Sequence, residues 1–350
     1  MTQGTFRPSA STLADHDYLD YVEGVRKFAK SAMDAAARAV VEDVLAEHGE
    51  PVRDVPTLRA LIDPSPVVGL RNRLLRSQQE MMWRRIHQTL DARRGELLAE
   101  LEAAEQRGPG SVHWDPDLAY PEYFTSADIH LQPESYEGDD LAGYIYHYGT
   151  NIFYVGRNDD DRAKQGTVDR LPLPEGPTEA VLDLACSIGQ STTALKKRLP
   201  EARVTGIDLA APMVRYAHLR ASTLGIDVDF RQESAADLSF EDGTFDLVYC
   251  NILFHEVPRE TAEQVVAEAH RVLRNGGMFI VQDFGNRSPD GPMTMQDYTR
   301  NIDTNFNGEP FASRFVYSDF LDLLRATFAD VDPDASPDPS GIRQMRVCRK

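Results

Sequence analysis

Two hydrophobic rhythms divide the chain. From 16 to 107, apolar residues recur every three or four positions, as the buried stripe of a helix requires. Val22, Val25, Phe28, Ala29, Met33, Ala36, Val40, Val44 and Leu45 keep that spacing up to the stop signal Gly49-Glu50-Pro51. A short helix over 57–62 fits between Pro56 and Pro64. Leu74, Met81, Ile86, Leu90, Leu97, Leu98 and Leu101 predict one long helix over 70–105. After 177 the rhythm changes to short apolar runs, the mark of strands buried on both faces. Strands are predicted at 181–184, 203–207, 228–230, 245–250, 278–281 and 342–348, with helices over 191–199, 208–224 and 319–328. The stretch 332–341 is a turn-rich connection. The insertion 286–314 reads as long and irregular, placed to overhang the carboxyl edge of the sheet. Residues 1–15 are polar, so a disordered start is expected rather than a signal peptide.

The first of these strands carries the most chemistry. Val181-Leu182-Asp183-Leu184 runs into the small-residue turn Ala185-Cys186-Ser187-Ile188-Gly189, then a helix, then a strand that ends on Asp208. Strand, tight turn, helix, strand, acid is a nucleotide-binding βαβ unit, with the acid placed to accept hydrogen bonds from both ribose hydroxyls. A dinucleotide needs glycine where the backbone meets its pyrophosphate. Ala185 and Ser187 stand at those places and only Gly189 keeps the glycine. The pattern therefore favours a ligand without phosphates, and S-adenosylmethionine (SAM) is such a ligand.

Four motifs in order and spacing make 178–285 resemble the class I SAM-dependent methyltransferases. They are the opening turn, the acid after the second strand, the Phe245-Asp246-Leu247-Val248 strand and the Leu273-Arg274-Asn275-Gly276-Gly277 turn. The resemblance implies an α/β fold, a Rossmann-like seven-stranded sheet with helices on both faces and an antiparallel last pair. Here an α-helical N-terminal cap precedes it. The expected division is a disordered 1–15, a helical cap or dimerisation region 16–107, an aromatic-rich lid and linker 108–170, and the SAM-binding domain 171–350. The resemblance also implies the cofactor contacts: Asp183, Ala185, Cys186, Ser187 and Gly189 in the first turn, Asp208 with Leu209 and Met213, Ser234 and Ala235 at the adenine, and Asn251 and Ile252 along the amino-acid tail. Asp183 either braces the turn or meets the amino group of SAM. Ser234 stands where the family often has an acid, so the adenine amine meets Ser234 or a neighbour.

The middle region is aromatic. Trp114, Tyr120, Tyr123, Phe124, Tyr136, Tyr144, Tyr146, Tyr148, Phe153 and Tyr154 crowd into it, against 9% aromatic residues overall. Such rings either wall a sulfonium, by cation–π attraction, or form interdomain core. The segment 146–154 resembles the helix before the nucleotide domain in cyclopropane-forming fatty-acid methyltransferases, which implies Tyr148 at the methionine end of SAM. After the fourth strand, His255 is placed to take a proton from an acceptor or to pack beneath the next helix, and Glu256 to bind an amine. The loop 128–136 is a candidate substrate loop. His130, His147 and Asp139 or Asp140 match no metal spacing, so no metal is expected; Asp159 to Asp161 read as a solvated turn.

The bulk numbers narrow the partners. A net charge of −19 over 350 residues disfavours nucleic acid, whose binding rests on clustered Lys and Arg. No run is long enough to span a membrane. The three cysteines, Cys186, Cys250 and Cys348, suit buried thiols in a cytoplasmic protein. The expected function is methyl transfer from SAM to a small molecule, a specialised metabolite or amino-acid derivative, with homodimerisation through the N-terminal helices. Two alternatives stay open: a SAM-cleaving cyclase of the same fold that forms azetidine-2-carboxylate and methylthioadenosine, and a non-catalytic SAM-binding module.

Overall fold

A computed structural model describes residues 12–154, 161–288, 290–335 and 343–350. The expected disorder of 1–15 lies mostly outside these residues. Its last part does not fit, because a helix already starts at Leu13 behind a Thr12–Asp15 capping box. The connection 332–341 is likewise described only to 335.

Eight strands form one sheet: β1 (Ser111–His113), β2 (Ala180–Leu184), β3 (Arg203–Asp208), β4 (Asp229–Gln232), β5 (Phe245–Asn251), β6 (Leu273–Phe284), β7 (Asp330–Asp332) and β8 (Arg343–Arg349). Their order is β1-β4-β3-β2-β5-β6-β8-β7. The pairs from β1 to β6 are parallel, and β8 runs antiparallel to both β6 and β7. The Rossmann-like sheet with its antiparallel last pair is thus present. It gains an eighth strand because Ser111–His113, from the aromatic region, pairs along β4 at the edge. Apolar side chains alternate across it. Leu182, Leu184, Val248 and Phe279 pack on one face with Phe254, Val265 and Leu324. Val181, Val204, Leu247 and Ile280 pack on the other with Leu195 and Val347. The register aligns Leu184 with Ile207 and Cys250, so the carboxyl ends of β2, β3 and β5 stand level. The chain leaves β2 toward β3 on one side while β5 lies on the other, and ligands of open α/β sheets bind at such a switch point.

The helices in front differ from the sequence pattern in two places. The stretch before Gly49 is two α-helices, Leu13–Phe28 and Asp34–His48, joined by a π turn over Ala29–Met33, and Gly49 ends it in the left-handed conformation. The expected 70–105 helix is Pro66–Asp91 followed by Arg94–Glu105. It breaks at Arg93 (φ −125°, ψ 15°), and Arg94 turns to grip the buried Asp139 carboxylate with two hydrogen bonds of 2.9 and 2.7 Å. The break lets one apolar face serve two surfaces. Pro66–Asp91 packs on Leu13–Phe28 and Ala142–Phe153, whereas Arg94–Glu105 packs on Ala211–Thr223 of the nucleotide domain. The insertion 286–314 is not irregular either: it holds the helices Met295–Phe306 and Ala312–Val316.

These helices share a core with the sheet domain. Leu19, Met82, Trp83, Leu97, Tyr144 and Ile145 pack in one cluster with Ile188, Met213, Tyr216 and Leu219. No helix among the described residues is long and apolar enough to cross a membrane.

Candidate active site

The turn after β2 is built from left-handed residues. Ala185 (φ 54°), Ser187 (φ 50°) and Gly189 (φ 73°) alternate with Cys186 and Ile188. Gly189 has no substitute, since a Cβ there would stand 2.7 Å from the Phe230 ring and 2.9 Å from Ala217. The turn aims its amides at the end of β3, where Ser187 N–H donates to Asp208 Oδ2 at 2.8 Å and Ala210 N–H donates to Oδ1 at 3.0 Å. Burial nevertheless pushes the Asp208 carboxyl up to about 6, against these amide bonds.

Asp183 lies one layer behind. It is buried, and both Ser191 Oγ (2.7 Å) and Thr192 Oγ1 (2.6 Å) donate to its Oδ2. Its other oxygen, Oδ1, is buried with no hydrogen-bond partner among the described residues. Burial raises this carboxyl to about 6, against the bonds from Thr192 and Ser191.

A cavity opens above these ends, roughly 1300 Å³ counted to its mouth. Ala185, Cys186, Ser187, Asp208, Leu209, Met213, Ser234, Ala235, Asn251 and Ile252 all line it, so ten of the expected cofactor residues meet on one wall. Asp183 and Gly189 support that wall from behind. The opposite wall comes from the aromatic region: Tyr123, Phe124, Ile129, His130, Tyr136, Tyr146 and Tyr154. Backbone strain gathers here too. Ile252, a β-branched residue at φ 64°, and His130 at φ 55° join Ala185 and Ser187 on the lining, and such strain clusters at functional sites.

Two expected catalytic residues are off the wall. Tyr148 sits two positions after Tyr146 on the Ala142–Phe153 helix, about 200° around its axis. Tyr146 therefore faces the cavity and comes against Ser187, while Tyr148 packs toward the helical core. His255 is 1% exposed. Its Nδ1 meets Asp283 at 2.7 Å and its ring lies 4.2 Å from that of Phe284. The packing alternative describes it, and Glu256 takes its place on the lining. Burial opposes the charge on His255, but Asp283 outweighs burial and raises its pKa.

Sequence reasoning passed over four residues. Lys164 and Glu233 line the cavity. Burial lowers the Lys164 ammonium, whose charge lies near Tyr154, Asp183 and Asp161. Glu309, from the insertion, stands 3.1 Å from His130, and Asp283 ends the strand behind His255. An acid at the carboxyl end of an apolar strand was a readable signal for Asp283; nothing local marks Lys164 or Glu309.

The other titratable candidates are spoken for. Asp139 pairs with Arg94, and His147 Nδ1 meets the Tyr216 hydroxyl at 2.7 Å. No group able to hold a metal ion occurs among the described residues. Asp161 is no solvated turn: it is buried, 2.5 Å from both Arg220 and the Gln190 side chain. Asp159 and Asp160 lie outside the described residues.

The site, lining and the layer directly behind it together, fits SAM on its own evidence. The orphaned Asp183 Oδ1 asks for a hydrogen-bond donor, such as an ammonium, at one end of the turn. Asp208 offers an acceptor at the strand end for ribose hydroxyls. Left-handed Ala185 and Ser187 carry Cβ atoms where a pyrophosphate would need bare backbone.

Comparison with known proteins agrees. A family model described as a methyltransferase domain matches residues 181–277. Demethylmenaquinone methyltransferase of Thermus thermophilus is 37% identical over 125 residues, 36% of this chain and 55% of the relative. Trans-aconitate 2-methyltransferase of Deinococcus radiodurans is 27% identical over 49% of this chain and 68% of its own length. The chain thus spans about half to two thirds of the curated relatives it matches. Among solved structures, geranyl diphosphate C-methyltransferase of Streptomyces coelicolor aligns over 58% of this chain and 79% of its own, with 18% identity and a TM-score of 0.42.

Proposed function

We propose that this chain, whose residues 181–277 match a methyltransferase-domain family model, transfers a methyl group from SAM to a small molecule held beneath the aromatic wall. One observation carries the proposal. The turn after β2 and the end of β3 present Asp208, with two backbone amides on its oxygens, to a cavity whose other wall is aromatic.

The cofactor brings an electrophilic methyl on a positively charged sulfur. The chain's part is to bind, orient and keep water out. Asp208 accepts the ribose hydroxyls, and Leu209, Met213, Ser234 and Ala235 enclose the base. Glu233 lines the same end, but its Oε1 accepts the Ser239 amide, so the adenine amine falls to Ser234 or to the free oxygen of Glu233. Asp183 Oδ1 takes the ammonium, Lys164 pairs with the carboxylate, and Asn251 and Ile252 border the tail. Tyr146 and Tyr154 offer ring faces to the sulfonium, each worth about 0.5–2 kcal/mol. A homodimer through the N-terminal helices belongs to the same proposal. Tyr21 and Phe28 are exposed on Leu13–Phe28 and would be its contacts; a monomer in sedimentation would remove it.

Incubation with SAM and a metabolite extract, read by mass, tests the reaction. S-adenosylhomocysteine formed only when extract is present is the expected result. Methylthioadenosine without an acceptor would replace transfer by cyclisation. No SAM consumption under any condition would leave only a binding module.

A further inference from the structure

A row of alternating acids and bases borders the cavity. Glu309 lies 3.1 Å from His130 Nδ1, and His130 Nε2 lies 3.7 Å from Glu256 Oε1. His255 Nε2 approaches the same oxygen at 3.7 Å, and its Nδ1 meets Asp283 at 2.7 Å. Four distant segments supply the row. The His130 end is pinned hard, since the His130 carbonyl accepts from both Gln79 Nε2 and Trp83 Nε1.

The ends of the row are held from within the protein, although Glu309 Oε2 and His130 Nδ1 are buried without a hydrogen-bond partner among the described residues. Asp283 is 0% exposed and accepts the amides of Leu253, Phe254 and Phe284 besides the His255 ring. Glu309 accepts from the Asn307 amide at 3.1 Å and faces charged His130. Burial works against both members of that pair, yet their contact lifts His130 to about 9 and brings Glu309 down to about 2.

The centre is not satisfied. Glu256 and His130 are the members of the row on the cavity wall. The two imidazoles stand 3.7 Å from Glu256, beyond hydrogen-bond reach. No donor to its carboxylate occurs among the described residues, although its side chain is only 18% exposed. A mostly buried carboxylate without donors is costly, and a ligand that brings N–H groups relieves the cost. The row holds three carboxyl groups against two imidazoles, so acids outnumber bases by one. Arg346 approaches Asp283, and Arg300 approaches Glu309, but neither lies on the lining. Tyr136 and Tyr146, both on the wall, lie within the field of Glu256 and turn aromatic surface toward the same space.

We propose that Glu256 is the recognition carboxylate for an acceptor that carries an amine, its ammonium seated between Glu256 and the rings of Tyr136 and Tyr146. The proposal rests on the methyltransferase reading and narrows its substrate class to amines. A carboxylate-bearing acceptor would face Glu256 at close range, and the charge of His130 is already engaged by Glu309.

Calorimetric titration of benzylamine, benzyl alcohol and benzoate, each with and without saturating S-adenosylhomocysteine, tests it. Benzylamine should bind at least tenfold more tightly than the other two. Glu256→Gln should erase that preference while leaving S-adenosylhomocysteine affinity unchanged, and Glu256→Asp, which keeps the charge, should retain it. Equal or tighter binding of benzoate or benzyl alcohol, no heat with benzylamine, or an undiminished preference in Glu256→Gln would overturn the assignment. Should Glu256→Gln unfold, loss of the preference in Glu256→Asp would count against it equally. Binding of S-adenosylhomocysteine without binding of amine would remove this inference alone, whereas failure of S-adenosylhomocysteine to bind would remove the reading on which it rests.

Discussion

At the scale of single residues the proposed cofactor site rests on two carboxylates, Asp208 and Asp183. Each is held by burial near pKa 6 in the folded chain, against about 3.9 for an ordinary aspartate. A carboxyl raised in this way favours the fold in its protonated form. Its contribution to stability is full below about pH 4 and is lost as pH rises through 6. Ligand binding runs in the opposite direction, because ribose hydroxyls and an ammonium need the ionised acceptors. The affinity for S-adenosylhomocysteine is therefore expected to fall as pH drops from 7 to 5, measured by calorimetry at each pH. A flat profile, or tighter binding at pH 5, would contradict these roles. The place of Asp208 at the cavity was legible in the sequence, because an acid closing the strand that follows a small-residue loop and its helix comes to the carboxyl edge of the sheet. The sequence pointed to Tyr148 where the cavity is lined by Tyr146, since a short likeness fixes neither the phase of a helix nor the face it buries. Glu309 and Lys164 were invisible, because only the fold brings them to the site.

Elements position these residues through close helix contacts. The Ala142–Phe153 helix delivers Tyr146 to the cavity only while it lies tight on Pro66–Asp91. Gly149 makes that approach possible: a Cβ there would stand 2.2 and 2.3 Å from Trp83 ring atoms. The same Trp83 donates its indole N–H to the His130 carbonyl at 2.9 Å. Gly149→Ala is expected to cost about 1–3 kcal/mol by overpacking, seen as a lower urea midpoint, and to weaken cofactor binding by moving Tyr146. An unchanged midpoint would show that the two helices yield more freely than their packing implies. Helical spacing did announce the elements of this region, and Gly49 and the flanking prolines gave their ends. The break at Arg93 was hidden, because its cause is Asp139, some forty-five residues away in sequence. The helix Met295–Phe306 inside 286–314 was legible but passed over: Met295, Tyr298, Ile302 and Phe306 keep helical spacing behind a Thr294–Asp297 capping box, and Met295 and Tyr298 pack with Val41, Leu58 and Val68.

The whole molecule is less divided than its sequence. Hydropathy separates a helical front, an aromatic middle and a nucleotide domain, but the front and the domain share one apolar cluster through Ile188, Met213, Tyr216 and Leu219. The aromatic middle also adds β1 to the sheet. A chain beginning at residue 108 would expose that cluster and is expected to lose cooperative unfolding, by circular dichroism against urea. A sharp transition in the truncated chain would show that the front is an appendage. This joining explains the cavity, whose one wall comes from the sheet and the other from the middle region. The Rossmann-like sheet with its antiparallel last pair, and the residues that gather at its carboxyl edge, were readable because the βαβ motif is local. The acceptor wall was readable only as an excess of aromatic residues, since its geometry depends on contacts across more than a hundred residues.

The measurement that bears most directly on all of this is calorimetric titration of S-adenosylhomocysteine into the purified chain and its Asp208→Ala variant, with NADH as a control. Saturable binding to the wild type is expected, weakened by about 1–3 kcal/mol in the variant as its hydrogen bonds to the ribose are lost, with no saturation by NADH. Saturation by NADH with no response to S-adenosylhomocysteine, or equal affinity in both proteins, would contradict the account.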